Sequence, residues 1–172
     1  MYLICLGLNF NLIGQTRKIT GKVISEHLET LPGVSIQNSD SVLLGTTDAN
    51  GSFEIVIPPQ TDKLLLSWIG MEWTTIQLPL NCDQLDIVLM FHAHYDFMSA
   101  RKEDRLRMKR YNKLPEIHSA AYEKGIFKTQ QPCYGRDFVP FKIRLKENEN
   151  RPMQASGYLV KAFFFSQQAA GN

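Results

Sequence analysis

The chain has 172 residues, of which 44% are hydrophobic and 21% charged, so its length suits one compact domain with an extension. Its formal net charge of +2 is too small to require nucleic acid or an anionic membrane as a partner. No uninterrupted apolar run reaches the roughly 18–20 residues that span a bilayer. The composition is that of a globular protein.

Residues 1–15 are apolar and end in small residues, like the second half of a secretory signal, although the basic region that precedes such a segment is lacking. We expect them to be a truncated signal segment, which predicts an exported protein of the periplasm or outer membrane. The alternative is an ordinary buried strand or short helix. If Cys5 leaves with this segment, Cys82 and Cys133 remain, and they could form a disulfide in an oxidising compartment or stay as two buried thiols.

Between Arg17 and Met90, short apolar runs alternate with turn signals at roughly ten-residue spacing, and no helical periodicity is found. This pattern predicts a mainly β fold, a seven-stranded antiparallel β-sandwich. The run at 63–70 is almost continuously apolar, as expected for a central strand with both faces covered. The predicted core comprises Val23, Val34, Ile36, Phe53, Ile55, Leu64, Leu66, Trp68, Ile76, Leu85, Ile87 and Leu89.

A sharp corner is predicted at residues 45–58, GTTDANGSFEIVIP. Asp48 and Asn50 can bond their own main chain, and Gly51 adopts positive φ without steric cost. After the corner, Phe53 and two isoleucines fall on one side of an extended run that Pro58 ends. We interpret the stretch as a β-hairpin with one face buried.

The ordered motifs of this region resemble one known family. They are Gly21-Lys22-Val23, Leu31-Pro32-Gly33-Val34, Thr47-Asp48-Ala49-Asn50-Gly51 and Trp68-Ile69-Gly70-Met71. Together, over residues 17–90, they resemble the carboxypeptidase regulatory-like domain of the prealbumin-like, Ig-like sandwich type. The resemblance implies an exported address, since such domains are common in exported proteins of Bacteroidetes-type bacteria and at the N-termini of TonB-dependent outer-membrane receptors. It implies no peptidase activity, because in carboxypeptidases the module is an accessory to a separate catalytic domain. The predicted domain is 16–91.

Residues 92–172 form a tail with a different pattern. Helical spacing predicts a first helix with an inward stripe that includes Phe97, Met108 and Tyr111. A second helix should begin at Pro115, turn Ile117, Ala120 and Ala121 inward and end at Gly125, with Phe127 continuing the docked stripe. The runs 141–146 and 157–166 could pair as a C-terminal hairpin. We expect the sandwich to close without residues 97–172.

The first helix of the tail is strongly basic. From 101 to 113 there are seven basic and two acidic residues, a local charge of +5. Such a run is typical of a solvated helix face, and it would also suit anionic lipid headgroups at a membrane surface or an acidic partner. Nucleic acid is not expected, because no stacking aromatics are interleaved with the charges. The candidate interaction surface is Arg105, Arg107, Lys109 and Arg110.

One cluster could hold a metal. His92, His94 and Asp96 spell H-x-H-x-D, part of the pattern by which two histidines and a carboxylate bind zinc in metallo-β-lactamases. The next histidine of that pattern is replaced by Phe97, and a third ligand from His118 is speculative. The alternative without a function is two exposed histidines on a linker.

No nucleophile motif or phosphate-binding loop is present in the sequence. The sequence therefore predicts a non-catalytic, exported binding or scaffolding module of the bacterial envelope, without a cofactor, whose partner is an envelope protein or glycan. The alternative is a small metal-dependent hydrolase or metal-binding protein built on the His92 cluster, and the convergence or divergence of these side chains would discriminate the two.

Overall fold

The computed structural model describes residues 16–92 and 98–140. These residues fold into a two-sheet β-sandwich, with a tail of two helices and one further strand packed against it. The elements in chain order are β1 Arg17–Ser25, β2 Ser35–Asn38, β3 Leu43–Thr46, β4 Ser52–Ile57, β5 Lys63–Ser67, β6 Thr74–Gln77, β7 Gln84–Leu89, α1 Ala100–Tyr111, α2 Leu114–Glu123 and β8 Gly135–Arg136.

The strands form a three-stranded sheet in the order β4-β1-β7 and a five-stranded sheet in the order β3-β2-β5-β6-β8. The predicted mainly β sandwich and its seven strands before the tail are confirmed, and β8 adds an eighth strand from the tail. The pairs are antiparallel except β1 with β7, which run parallel with Val23 opposite Ile87. The fully antiparallel description is therefore wrong for this pair, because alternation within a strand does not encode the direction of its partner.

The corner at 47–51 does not make a hairpin, contrary to the prediction. β3 pairs with β2 and β4 pairs with β1, so the corner carries the chain from one sheet to the other. Its local chemistry is as expected: the Asp48 carboxylate accepts hydrogen bonds from the amides of Asn50 and Ser52 at 2.8 and 2.9 Å, and Gly51 has φ +72°. The same turn residues serve a hairpin and a crossover, and only the packing of the two sheets selects between them.

The main core lies between the two sheets. Every predicted core residue is buried there except Trp68, which packs half-buried against its edge. Leu64, Leu65 and Leu66 of β5 are all buried, which confirms a central strand covered on both faces. The alternation predicted for β4 is also confirmed, with Phe53, Ile55 and Ile57 inward.

A second apolar cluster joins the tail to the outer face of the three-stranded sheet. Ile24 of β1 and Val88 of β7, with Met90, pack against Leu114 and Ala121 of α2 and against Phe127, which follows it. The inward positions predicted for Ala121 and Phe127 are thus confirmed. Helix α2 begins at Leu114, one residue before Pro115, and Gly125 follows its end with φ +69°.

The tail then crosses to the other sheet, where β8 pairs with β6 through Ile76 opposite Arg136. The predicted hairpin of 141–146 and 157–166, the signal segment 1–15 and Phe97 lie outside the described residues. None of the helices in the described part of the chain is long and apolar enough to cross a membrane.

Candidate interaction surface

Helix α1 is held on the sandwich by an arginine whose side chain is only 2% exposed. Arg107 Nε donates to Glu72 Oε1 at 2.8 Å, and Nη2 donates to Glu72 Oε2 at 2.9 Å. Nη1 donates to Asp104 at 2.8 Å, and Nη2 also reaches the carbonyl of Val139 at 3.1 Å. The ring of Phe138 covers the guanidinium, with 4.9 Å from Cζ to the ring centroid. Burial alone would lower the pKa of Arg107, but hydrogen bonds and charges from Glu72 and Asp104 outweigh it and raise that pKa.

A second arginine fixes the same helix one turn later. Arg110 forms a bidentate pair with Glu26, in which Nε donates to Oε2 at 3.0 Å and Nη2 donates to Oε1. Nη2 also donates to the carbonyl of Phe91 at 2.8 Å, while the amide of Phe91 donates to Glu26 at 3.0 Å. Glu26 follows β1 and Phe91 follows β7, so Arg110 ties α1 to the ends of two neighbouring strands.

These contacts correct the predicted basic surface. Arg107 and Arg110 point inward, and only Arg105 and Lys109 of the four predicted residues are exposed. Met108, predicted to face the sandwich, is instead 38% exposed, whereas Tyr111 is half-buried as expected. The helix is rotated from its apolar stripe because the buried Glu72 and the half-buried Glu26 on the sandwich require cationic partners, and that requirement outweighs the burial of one methionine.

The segment after α2 is attached to β7 by the side chain of Asp86, which is 1% exposed. Its Oδ2 accepts hydrogen bonds from the amides of Lys128 and Thr129, at 2.8 and 2.9 Å, and from the Thr129 hydroxyl at 3.0 Å. Its Oδ1 accepts from the Gln84 amide group at 2.9 Å. A buried carboxylate satisfied in this way is a structural clamp.

A disulfide joins Cys82, in the connection between β6 and β7, to Cys133, just before β8, with their Cα atoms 5.5 Å apart. Of the two alternatives left open by the sequence, the structure has the paired cysteines. The bond closes 51 residues of chain and fixes the tail to the connection that precedes β7.

Arg136 of β8 extends the attachment into the gap between the sheets. It donates to the carbonyl of Val88 at 2.8 Å and to the Thr74 hydroxyl at 3.1 Å, and it lies 5.7 Å from the ring centroid of Tyr111. Burial lowers the pKa of Arg136. Burial also raises the pKa of the neighbouring Tyr134 to about 12. The tail thus contacts strands of both sheets.

Of the three candidate metal ligands, only His92 lies in the described residues, so the predicted cluster stays a prediction. His92 is exposed, and His94 and Asp96 lie outside the described residues. His118 is buried in α2, where its Nδ1 lies 3.2 Å from the carbonyl of Gln130 and its ring is 4.8 Å from that of Phe127. Within 16–92 and 98–140, no three His, Cys, Asp or Glu side chains are grouped as metal ligands.

The sequence reasoning missed Glu26, Glu72, Asp86 and Arg136. Glu72 left a weak signal, as a single acid between Met71 and Trp73 in an otherwise apolar stretch. An acid in such a position is seldom buried without a cationic partner, and the arginines of the tail are the residues that could supply it.

Residues 19–94 match the family model of the CarboxypepD_reg-like domain. This part of the chain is a CarboxypepD_reg-like domain. The family resemblance predicted from the motifs is therefore confirmed, and the Ig-like sandwich of this domain is a non-catalytic fold. Helices α1 and α2 and strand β8 lie beyond the residues that the family model matches.

Part of the chain is similar to a solved structure. That structure is the crystal structure of the C-terminal domain of the PapC usher, with a TM-score of 0.31. The two sequences are 18% identical, and the match covers 44% of this chain and 98% of the usher domain. No curated protein matches the chain.

Proposed function

We propose that this protein is an exported, non-catalytic binding or scaffolding module of the bacterial cell envelope. Its CarboxypepD_reg-like domain is the platform, and its helical tail is an attached interaction element for an envelope protein or glycan. The observation that carries the proposal is the disulfide between Cys82 and Cys133. Disulfides persist in oxidising compartments such as the periplasm and are rare in the cytosol.

The chemistry of the tail contacts supports a binding role. Glu72, Asp86, Arg107 and Arg110 resemble catalytic residues by type, but each has its charged atoms engaged in holding the tail to the sandwich. A catalytic carboxylate needs an open side on which a substrate can meet it. The described contacts of these four residues instead attach the tail to the sandwich.

The proposal is tested by fractionating the source bacterium and detecting the native protein with an antibody. Free thiols are blocked with a maleimide under denaturing conditions, and the sample is then reduced and labelled with a second, heavier maleimide. We expect the protein in the periplasmic or membrane fraction, with Cys82 and Cys133 carrying only the second label. Recovery from the cytosol with both cysteines carrying the first label would overturn the proposal.

A matched variant controls for access of the reagent. In Cys133→Ser, Cys82 has no partner and should take the first label, which shows that the blocking step modifies Cys82 when it is a free thiol. Pull-down from an envelope extract then tests binding, with the sandwich-surface variant Lys63→Glu as a control expected to recover the same material.

A further inference from the structure

The outward side of α1 carries a dense cationic face, defined here as Arg101, Lys102, Arg105, Lys109 and Lys113. All five side chains are exposed. In the part of the chain that the structure describes, none of the five takes part in an ion pair. At 3.6 residues per turn, the four members within the helix fall in an arc of about 100°, opposite the side that Arg107 and Arg110 present to the sandwich.

The acids of the helix do not neutralise this face. Glu103 is buried on the inner side, and Asp104 is half-buried and bound to Arg107. The nearest exposed acid along the chain is Glu116, in the first turn of α2. The face therefore presents like charges side by side, and contact with an anionic surface would relieve their mutual repulsion.

The face is also held in place. The ion pairs of Arg107 with Glu72 and of Arg110 with Glu26 fix both the rotation of α1 and its position on the sandwich. The face extends over 101–113, about 18 Å at 1.5 Å per residue, which is long enough to meet several headgroups at once. A fixed array of cations loses less conformational entropy on binding than a flexible basic segment would.

We propose that the cationic face of α1 binds a membrane surface through anionic, phosphate-bearing lipid headgroups. Met108, exposed at the border of this face, supplies an apolar side chain for the region just below the headgroups. An acidic protein is the less favoured partner, because the five members of the face are all cations and include no hydrogen-bond acceptor to set a register. This inference rests on the proposed function, because it names a membrane surface of the cell envelope as the partner.

The test is co-sedimentation of the purified full chain with vesicles of phosphatidylcholine containing phosphatidylglycerol, and with vesicles of phosphatidylcholine alone. We expect binding to the anionic vesicles only, and weaker binding as salt is raised, because exposed charges are screened beyond about 8 Å at physiological ionic strength. The variant Arg105→Gln with Lys109→Gln should lose affinity on the order of 30-fold, since each cation near the surface contributes independently.

The matched control is Lys63→Gln with Lys128→Gln, which removes the same charge from exposed positions outside the face and should keep most of the wild-type affinity. Both double variants should melt at the wild-type temperature. Equal binding by the two double variants would overturn the proposal, as would wild-type binding to soluble polyglutamate that anionic vesicles fail to compete. Export is measured separately by fractionation, so a failure here leaves the proposed envelope location standing.

Discussion

Arg107 and Glu72 form a two-pronged ion pair between α1 and the connection from β5 to β6, with both side chains at most 6% exposed. The two residues are 35 positions apart in the chain. A buried pair of this kind adds little net stability over an apolar pair, but each partner becomes costly when the other is removed. It therefore specifies where the helix lies more than it strengthens the fold.

Replacing Glu72 with Gln should lower the free energy of unfolding by roughly 3–5 kcal/mol, because the charge of Arg107 stays buried without its main counterion. Urea denaturation followed by circular dichroism measures the loss. Arg105→Gln on the exposed side of the same helix is the control, and it should change stability by no more than about 0.5 kcal/mol. A Glu72→Gln protein as stable as the wild type would place Arg107 in solvent.

The strand alternation predicts a sharp contrast within β4. Phe53→Ala should destabilise the protein by about 3–5 kcal/mol, because the ring is buried between the sheets and its removal leaves a cavity. Val56→Ala, on the other face of the same strand, removes a side chain that is 55% exposed and should cost well under 1 kcal/mol. Thermal unfolding of the two variants checks the contrast, and equal losses would contradict the assigned facing of the strand.

The turn at residues 47–51, which leads from one sheet to the other, requires a residue without a Cβ at Gly51. A Cβ there would lie 2.6 Å from the carbonyl oxygen of Val23, whereas a Cβ at Gly125 meets nothing within 4 Å. Both glycines have similar positive φ, +72° and +69°, so Ala at either position carries the same backbone strain, about 1–2 kcal/mol. We expect Gly51→Ala to cost about 1–3 kcal/mol beyond Gly125→Ala, from the added steric conflict. Equal melting temperatures for the two variants would show that the corner can shift.

Tyr134 should make stability fall at high pH. Burial raises its pKa from 10.0 to about 12 in the folded protein, so between these values the unfolded chain releases a proton that the folded chain keeps. Deprotonation therefore favours unfolding, and this contribution, on the order of 2–3 kcal/mol, is present below about pH 10 and is lost as the pH rises to about 12.

Absorbance titration of the phenolates measures this directly. The last tyrosine step should disappear in Tyr134→Phe and persist in Tyr122→Phe, which removes an exposed phenol instead. A complete set of steps in Tyr134→Phe would assign the late titration to another residue.

The sequence alone determined the strands, the facing of their side chains and the family of the domain. Alternation has a period of two residues, so Phe53 and Ile55 were assigned to the core without knowledge of any partner strand. The turn at Asp48–Gly51 was also predicted, because its chemistry is local: a carboxylate bonds amides two and four residues later. The second helix and its buried Ala121 followed in the same way from local spacing.

Tertiary structure alone decided which strands pair and which way α1 faces. The corner before β4 leads to the opposite sheet, and β7 runs parallel to β1, because these choices depend on closing two sheets over one core. That the sandwich closes without the tail stays a prediction; in the folded protein, β8 pairs with β6 and α2 covers the outer apolar residues of β1 and β7.

The orientation of the basic helix α1 shows why tertiary structure was needed. Its arginines look alike in the sequence, yet Arg107 and Arg110 are turned inward by carboxylates 35 and 84 residues away, while Arg105 is left in solvent. Helical period fixes which side chains share a face, but only the position of carboxylates distant in the sequence decides which face meets the sandwich.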